Sequence, residues 1–470
     1  MTDTLLDRSI EALGADLRAG RTTAAEIARV ANAAHTRNGA ALGAWRTWGG
    51  DRMAGAAAAA DTALAAGYDL GPLHGLPVSV KDLYAVDGFP LYAGTPRDLP
   101  PEWHREGPVV RALRHGFAVI AGKAHTVEFA FGGVGINNHA GTPANPWDAK
   151  DHRAPGGSSS GAGVSLWEGT VVLALGSDTA GSVRVPAAVT GTVGVKTSVR
   201  RWSTDGIVPL SPTFDTAGVL ARSVRDAVLG FAAIDPQVSE APQALLERLA
   251  RTDIAGLRLG VHEAAFAEAS PGVAEATQAA LRELEKAGAR LVPFEFPEGA
   301  VAWDLQRRGG LVVAEFARFI ANDLPDWKAT LDPVVRTRFD RYETQTAVEY
   351  LQRRELLDAA TRSAHERLRA VDAVVGPTVP HTPPRLADIM ELDKYHEANR
   401  LMLRNTSFGN LLVLCAVTIP SGLDAARMPV GLQFACTAGN DERALAIALA
   451  AERVLGTARQ RLGVPPRVAA

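Results

Sequence analysis

The stretch from Gly156 to Pro186, GGSSSGAGVSLWEGTVVLALGSDTAGSVRVP, constrains this chain more than any other. It sets two glycine-embedded serines, Ser158 and Ser182, on either side of apolar runs, VSLW and VVLAL, that must be buried. A Gly/Ser linker would be polar throughout, so this segment is expected to be folded core. A serine that attacks a carbonyl must sit on a tight turn, with backbone N–H groups facing the oxygen that becomes negative. Small residues permit that geometry. Around Ser182, DTAGS offers the consecutive amides of Thr179, Ala180, Gly181 and Ser182 as an oxyanion hole. Around Ser158, the glycines Gly156, Gly157 and Gly161 let other backbone segments approach closely.

A base has to be found for such a serine. The chain has 11 histidines, none in a GxSxG elbow, an HExxH pair or another catalytic spacing. Lone histidines such as His125 and His381 read as surface or satisfied core residues. A better base lies upstream in GPLHGLPVSVKDLYAVDGFP, where Lys81 ends the strand-like alternation LPVSVK and is followed by Asp82. An unperturbed lysine, with a pKa of about 10.4, is almost wholly protonated at neutral pH. Burial disfavours the ammonium form, so a lysine at the end of a buried strand can become a general base.

Lys81, Ser158 and Ser182 together resemble the catalytic triad of the amidase signature family. The resemblance rests on GLPVSVKD, the GGSSSG loop, GSDTAGSVRVPAA and the downstream GVKTSVRRWSTDGIVPLSPTFDTAGVLARSV. DAVVGPTVP from Asp372 to Pro380 and MPVGLQ from Met428 to Gln433 are similar to further family blocks, so the likeness spans most of the chain. It implies Lys81 as base, Ser158 as a bridging serine preceded by a cis peptide bond, and Ser182 as nucleophile. Gly157, Asp178 and Arg184 match positions that support the loop. Gln433 either lines the pocket or ties two strands together.

The chain departs from the family pattern in three places. Trp167 stands where a small residue is usual, Ala180 where many members have glycine, and Cys415 where many have proline. The last two are similar to the allophanate hydrolase branch. The resemblance implies cleavage of an amide C–N bond through an acyl-enzyme, with no metal or organic cofactor and a small amide or carbamate as substrate. Carbamates, urethanes and allophanate stay open as alternatives. A glutamine-hydrolysing component of an amidotransferase complex is an alternative of another class, and it requires a stable heteromer.

Composition excludes other classes. A net charge of −3 points to neither nucleic acid nor an anionic membrane, and 47% hydrophobic residues supply a large core. The two cysteines, Cys415 and Cys436, lie in apolar surroundings and read as reduced core residues. No signal peptide or bilayer-spanning window is visible, so a cytoplasmic enzyme is expected. The residues leave the oligomeric state open, while the resemblance implies a homodimer.

The expected fold class is α/β, the amidase signature fold: a large mixed, largely parallel sheet flanked by helices on both faces. One domain over residues 1–470 is expected. Within it, residues 1–70 form a helical N-terminal layer, 71–235 the catalytic core, 236–405 a variable substrate-funnel region and 406–470 a C-terminal core segment. A capping box from Thr23 to Glu26 opens one helix and residues 51–66 form an alanine-rich second. GLRLGV at 256–261, a helix near 272–287 and ARLVPFEF at 289–296 predict a parallel strand–helix–strand unit. Residues 300–405 carry amphipathic helices, with Trp303, Arg307, Arg308 and Tyr350 as pocket-wall candidates; Arg200, Arg201 and Trp202 are others.

Overall fold

The computed structural model describes residues 5–340 and 345–469. Among these, eleven strands join in one sheet: β1 Trp45–Trp48, β2 Pro77–Lys81, β3 Val119–Ala124, β4 Leu173–Asp178, β5 Val193–Lys196, β6 Thr216–Ala221, β7 Arg258–Val261, β8 Arg290–Pro293, β9 Ala373–Pro377, β10 Leu414–Leu423 and β11 Pro429–Thr437. Their spatial order is β1-β3-β2-β4-β6-β5-β10-β11-β9-β7-β8. The sheet is mixed, and its parallel pairs are confined to two places, β3-β2-β4 and β8-β7-β9. Between them every pairing is antiparallel, because β10 and β11 form a long hairpin that joins β5 to β9.

Strand alternation distributes two apolar cores over the two faces. On β10, Cys415, Val417 and Ile419 enter the cluster built from the N-terminal helices and the helices Val224–Ile234, Val273–Lys286 and Asp441–Leu455. Leu414 and Ala416 enter the other, which the helices Val312–Asp323 and Ala347–Arg367 cover. Both cysteines are buried and unbridged.

The local expectations hold in part. Thr23 caps the helix Ala24–Leu42 by accepting from the Glu26 amide at 3.0 Å, but the capping box is only half made, because the Glu26 carboxylate accepts from Arg29 instead; the alanine-rich helix runs Gly50–Ala65. β7, the helix Val273–Lys286 and β8 form the parallel unit, with Arg258 opposite Arg290. The N-terminal layer is not wholly helical. β1 follows the first long helix and adds an antiparallel edge to β3, where four residues, WRTW, were too short a signal to read as a strand. Among the described residues no helix is long and apolar enough to cross a membrane.

Candidate active site

β2 is buried at every position because it lies between β3 and β4. It runs parallel to β4 with Val80 opposite Leu175, which brings the carboxyl ends of both strands together. Lys81 ends one; Ser177 and Asp178 end the other. The Lys81 side chain is fully buried. Its Nζ donates to Ser158 Oγ at 2.7 Å and to Ser177 Oγ at 2.9 Å, and it makes no ion pair among the described residues. Burial pulls its pKa down to about 7, against the opposing pull of the Asp178 and Asp215 charges. Asp82, its neighbour in sequence, instead pairs with Lys123 on β3 at 2.9 Å.

The loop carrying Ser158 is fixed from three sides. The Gly157–Ser158 peptide is cis. The Gly157 amide donates to Gly133 O at 2.7 Å, the Ser158 carbonyl accepts from the Val127 amide at 3.1 Å, and the Ser159 amide donates to Ser182 O at 3.2 Å. That last bond joins the two serine loops directly. Gly157 has no room for a side chain, since a Cβ there would lie 2.7 Å from Gly135 N and 2.8 Å from Gly132 O.

Ser182 sits on the turn between β4 and the helix Arg184–Thr190 and is 4% exposed. Asp178 organises that turn by accepting from the amides of Gly181 at 2.7 Å and Val183 at 3.1 Å, and from Asn410 Nδ2 at 2.9 Å. Burial works against the Asp178 carboxylate, but the charge and hydrogen bonds of Arg184, with help from Lys196, hold it well below the usual range. Arg184 donates to Asp178, to Asn410 Oδ1 at 2.6 Å and to Gln433 Oε1 at 3.3 Å. Gln433 Nε2 donates to Asn405 O at 2.6 Å, so this side chain braces the arginine. The amides of Thr179, Ala180 and Ser182 make no hydrogen bond among the described residues, whereas the Gly181 amide is taken by Asp178. Ala180 achieves this without a positive φ; Gly181 takes one, at 138°.

Behind the loop, Trp167 Nε1 and Trp147 Nε1 both donate to Thr190 O, at 2.6 and 2.8 Å. The bulky residue at 167 therefore ties down the helix that follows Ser182. The side chain of His125 is kept neutral by burial, which lowers its pKa to about 4, and that of His381 meets Ser270; neither histidine bonds Lys81, Ser158 or Ser182.

Two cavities flank the segment before Gly132. Ala130 lines one of about 280 Å³ that also meets Ser177, Thr179 and Asp215, whose carboxyl burial pushes up to about 6. Phe131 lines the other, of about 410 Å³, together with Trp303 and Arg307. Of the pocket-wall candidates, these two line a cavity. The other six candidates, Arg200, Arg201, Trp202, Arg308, Tyr350 and Gln433, are not on these cavities. Tyr350 donates its hydroxyl to Glu315 Oε1 at 3.0 Å and packs against the apolar core. Trp202 is 1% exposed, donates to Asp235 Oδ2 at 2.9 Å and packs on Phe231, because the segment after β5 turns back under the sheet. Gln433 lies behind Arg184. Ser177, Asn410, Arg338 and Arg400 were missed; only Ser177 lies inside a motif that could have shown it.

The amidase family model matches residues 26–445. The chain is 47% identical over 452 residues to 2-amino-5-chloromuconic acid deaminase of Comamonas testosteroni, covering 96% of this chain and 97% of that protein. It is 33% identical over 425 residues to mandelamide hydrolase of Pseudomonas putida, covering 84% of this chain and 81% of the relative. A crystal structure of an amidase superposes with a TM-score of 0.83 at 31% identity, covering 96% of this chain and 100% of that one. With a match that takes in both serine loops and the lysine strand, the chain belongs to the amidase family of hydrolases acting on amides.

Proposed function

We propose that the chain hydrolyses a C–N bond with Ser182 as nucleophile, Ser158 as proton bridge and Lys81 as base. The observation that carries this reading is the 2.7 Å hydrogen bond from a fully buried, unpaired lysine to Ser158 Oγ. Neutral Lys81 takes a proton through Ser158 from Ser182, whose oxygen attacks the substrate carbonyl. The amides of Thr179, Ala180 and Ser182 are positioned as donors to the oxyanion, with Gly181 held as their hinge. The relay returns the proton to nitrogen, the amine leaves, and Ser182 carries the acyl group as an ester. Water then attacks that ester under the same base and frees the acid. Asp178, Arg184 and Gly157 hold the loops, and Trp303 and Arg307 form part of the substrate wall. Carbamates present the same carbonyl with an alkoxy neighbour, so the same groups suffice for them.

A second reading is favoured by the 47% identity to a deaminase across nearly the whole chain. In it the substrate is a small unsaturated amino acid whose C–NH2 becomes C–OH, with water consumed and ammonia released. One assay addresses both: release of ammonia or amine from aryl acylamides, aryl carbamates, glutamine, allophanate and 2-aminomuconate by wild type, Ser182→Ala and Lys81→Ala. Loss of turnover in both variants is the expected result. Turnover that survives in Ser182→Ala would mean that the nucleophile is another group. Activity confined to glutamine would favour the amidotransferase reading.

A further inference from the structure

The larger cavity has a charge pattern that the amide reaction does not need. Among the described residues that line it, Phe131, Val312 and Leu403 make an apolar floor, and Arg307, Arg338 and Arg400 accompany one carboxylate, Asp393. The fifth titratable group, His396, bonds Thr337 Oγ1 at 3.0 Å, and burial, then Arg338, lowers its pKa, so it adds no cation at neutral pH. Arg307 answers Asp304 at 3.0 Å. Arg338 is held in place: Nη1 donates to Phe131 O at 2.8 Å and the guanidinium lies 3.7 Å above the Phe131 ring. Arg400 makes no hydrogen bond or ion pair among the described residues. The cavity wall is bonded to the serine-loop region: Asn399, which lines it, accepts from the Gly133 amide at 2.6 Å. Phe131 leads into Gly132 and Gly133, and the Gly133 carbonyl holds the Gly157 amide beside Ser158.

We infer that this cavity selects a carboxylate-bearing substrate, with Arg338 and Arg400 gripping the acid group while the apolar floor takes the carbon chain. The inference rests on the C–N hydrolase reading of the Ser158 and Ser182 loops. A planar guanidinium matches a carboxylate with two parallel N–H donors, and such charge-assisted bonds are about twice as strong as neutral ones. A neutral amide would give Arg400 nothing to bind; a small diacid or acid amide uses it. Arg338 and Arg400 are specificity residues here, distinct from the groups that make and break bonds.

Two measurements test this. Calorimetric titration of cis,cis-muconate, a diacid with no scissile C–N bond, into the Ser182→Ala protein is expected to show binding. Arg400→Gln should weaken it about tenfold to a hundredfold, the range that losing a charged hydrogen bond gives. Adding Arg338→Gln should abolish it, and Arg29→Gln, on a distant helix, should not alter it. In turnover, the kcat/KM ratio of succinamate to its methyl ester should favour the acid in wild type and fall at least tenfold in Arg400→Gln. Arg400 is exposed, so this variant folds even if Arg338→Gln does not. Equal muconate affinity in wild-type and Arg400→Gln backgrounds, or preference for the ester in wild type, would overturn the inference. Turnover persisting in Ser182→Ala would instead sink the nucleophile assignment and leave the binding result readable.

Discussion

Replacing Lys81 with methionine should abolish activity and remove a pH-dependent penalty on stability. Burial moves the Lys81 pKa from 10.5 to about 7. The unfolded chain keeps this proton up to pH 10.5, whereas the folded protein releases it above about pH 7. Between those values the unfolded state binds more protons, so stability rises with pH. The penalty vanishes above pH 10.5, grows by about 1.4 kcal/mol per unit as pH falls, and levels off below pH 7 near 5 kcal/mol. Methionine, of similar length, carries no such penalty. Its loss of the hydrogen bonds to Ser158 and Ser177 weakens the fold equally at every pH, and so cancels from the pH dependence. Between pH 7 and pH 9 wild type should therefore gain about 2 kcal/mol on Lys81→Met. Urea unfolding at pH 7, 8 and 9, followed by the fluorescence of the 8 tryptophans, measures this. A difference that stays flat, or moves the other way, would refute the claim that Lys81 is neutralised by burial.

On the proposed mechanism the same proton governs rate. With chemistry limiting, kcat/KM should rise about tenfold per unit up to pH 7 and then plateau; a profile flat from pH 6 to 10 would count against Lys81 as base. Asp178→Ala leaves Arg184 buried without its carboxylate and should destabilise by about 3–5 kcal/mol, read as a lower Tm together with lost turnover; an unchanged Tm would contradict the bracing network. Gly157→Ala forces a Cβ against Gly132 O and Gly135 N and should cost about 1–3 kcal/mol, with kcat falling by a larger factor than KM rises. Full activity in that variant would show that the Ser158 loop tolerates displacement.

Much of the site was legible because its chemistry is local. The Gly/Ser turns around Ser158 and Ser182 and the buried alternation before Lys81 each announce their conformation over a few residues. The strand–helix–strand unit from Arg258 to Pro293 was legible for the same reason. What escaped depends on residues far apart in sequence. Asn410 reaches Arg184 across 226 positions, and nothing in NLLVLC marks it. Arg338 and Arg400 belong to separate helices that meet at one cavity only in the folded chain. Trp202 follows the nucleophile block closely enough to suggest the pocket, yet β5 carries it to the opposite core. Long-range strand order is likewise silent in a short edge such as WRTW, and the antiparallel middle of the sheet follows from one hairpin, β10–β11, far downstream of the strands it joins.

The cations around the serine loops show how the fold assigns them different work. Lys81, Lys123, Arg184 and Lys196 are each at most 1% exposed. Lys123 is paired with Asp82 and Arg184 with Asp178. Lys196 donates to two backbone carbonyls, of Thr197 at 2.9 Å and Leu414 at 2.7 Å; these accept hydrogen bonds and have no proton to give back. Lys81 alone of the four meets hydroxyl groups, those of Ser158 and Ser177, which can both accept and donate. The adjacent Asp82 would neutralise this arrangement if it reached Lys81. It does not, because its side chain is claimed by Lys123 of the neighbouring strand β3, to which its amide is also bonded through Ala124 O at 3.0 Å. The pair Lys81–Asp82, which looks in sequence like a salt bridge in the making, is in the fold one carboxylate spent on structure and one lysine left able to exchange its proton.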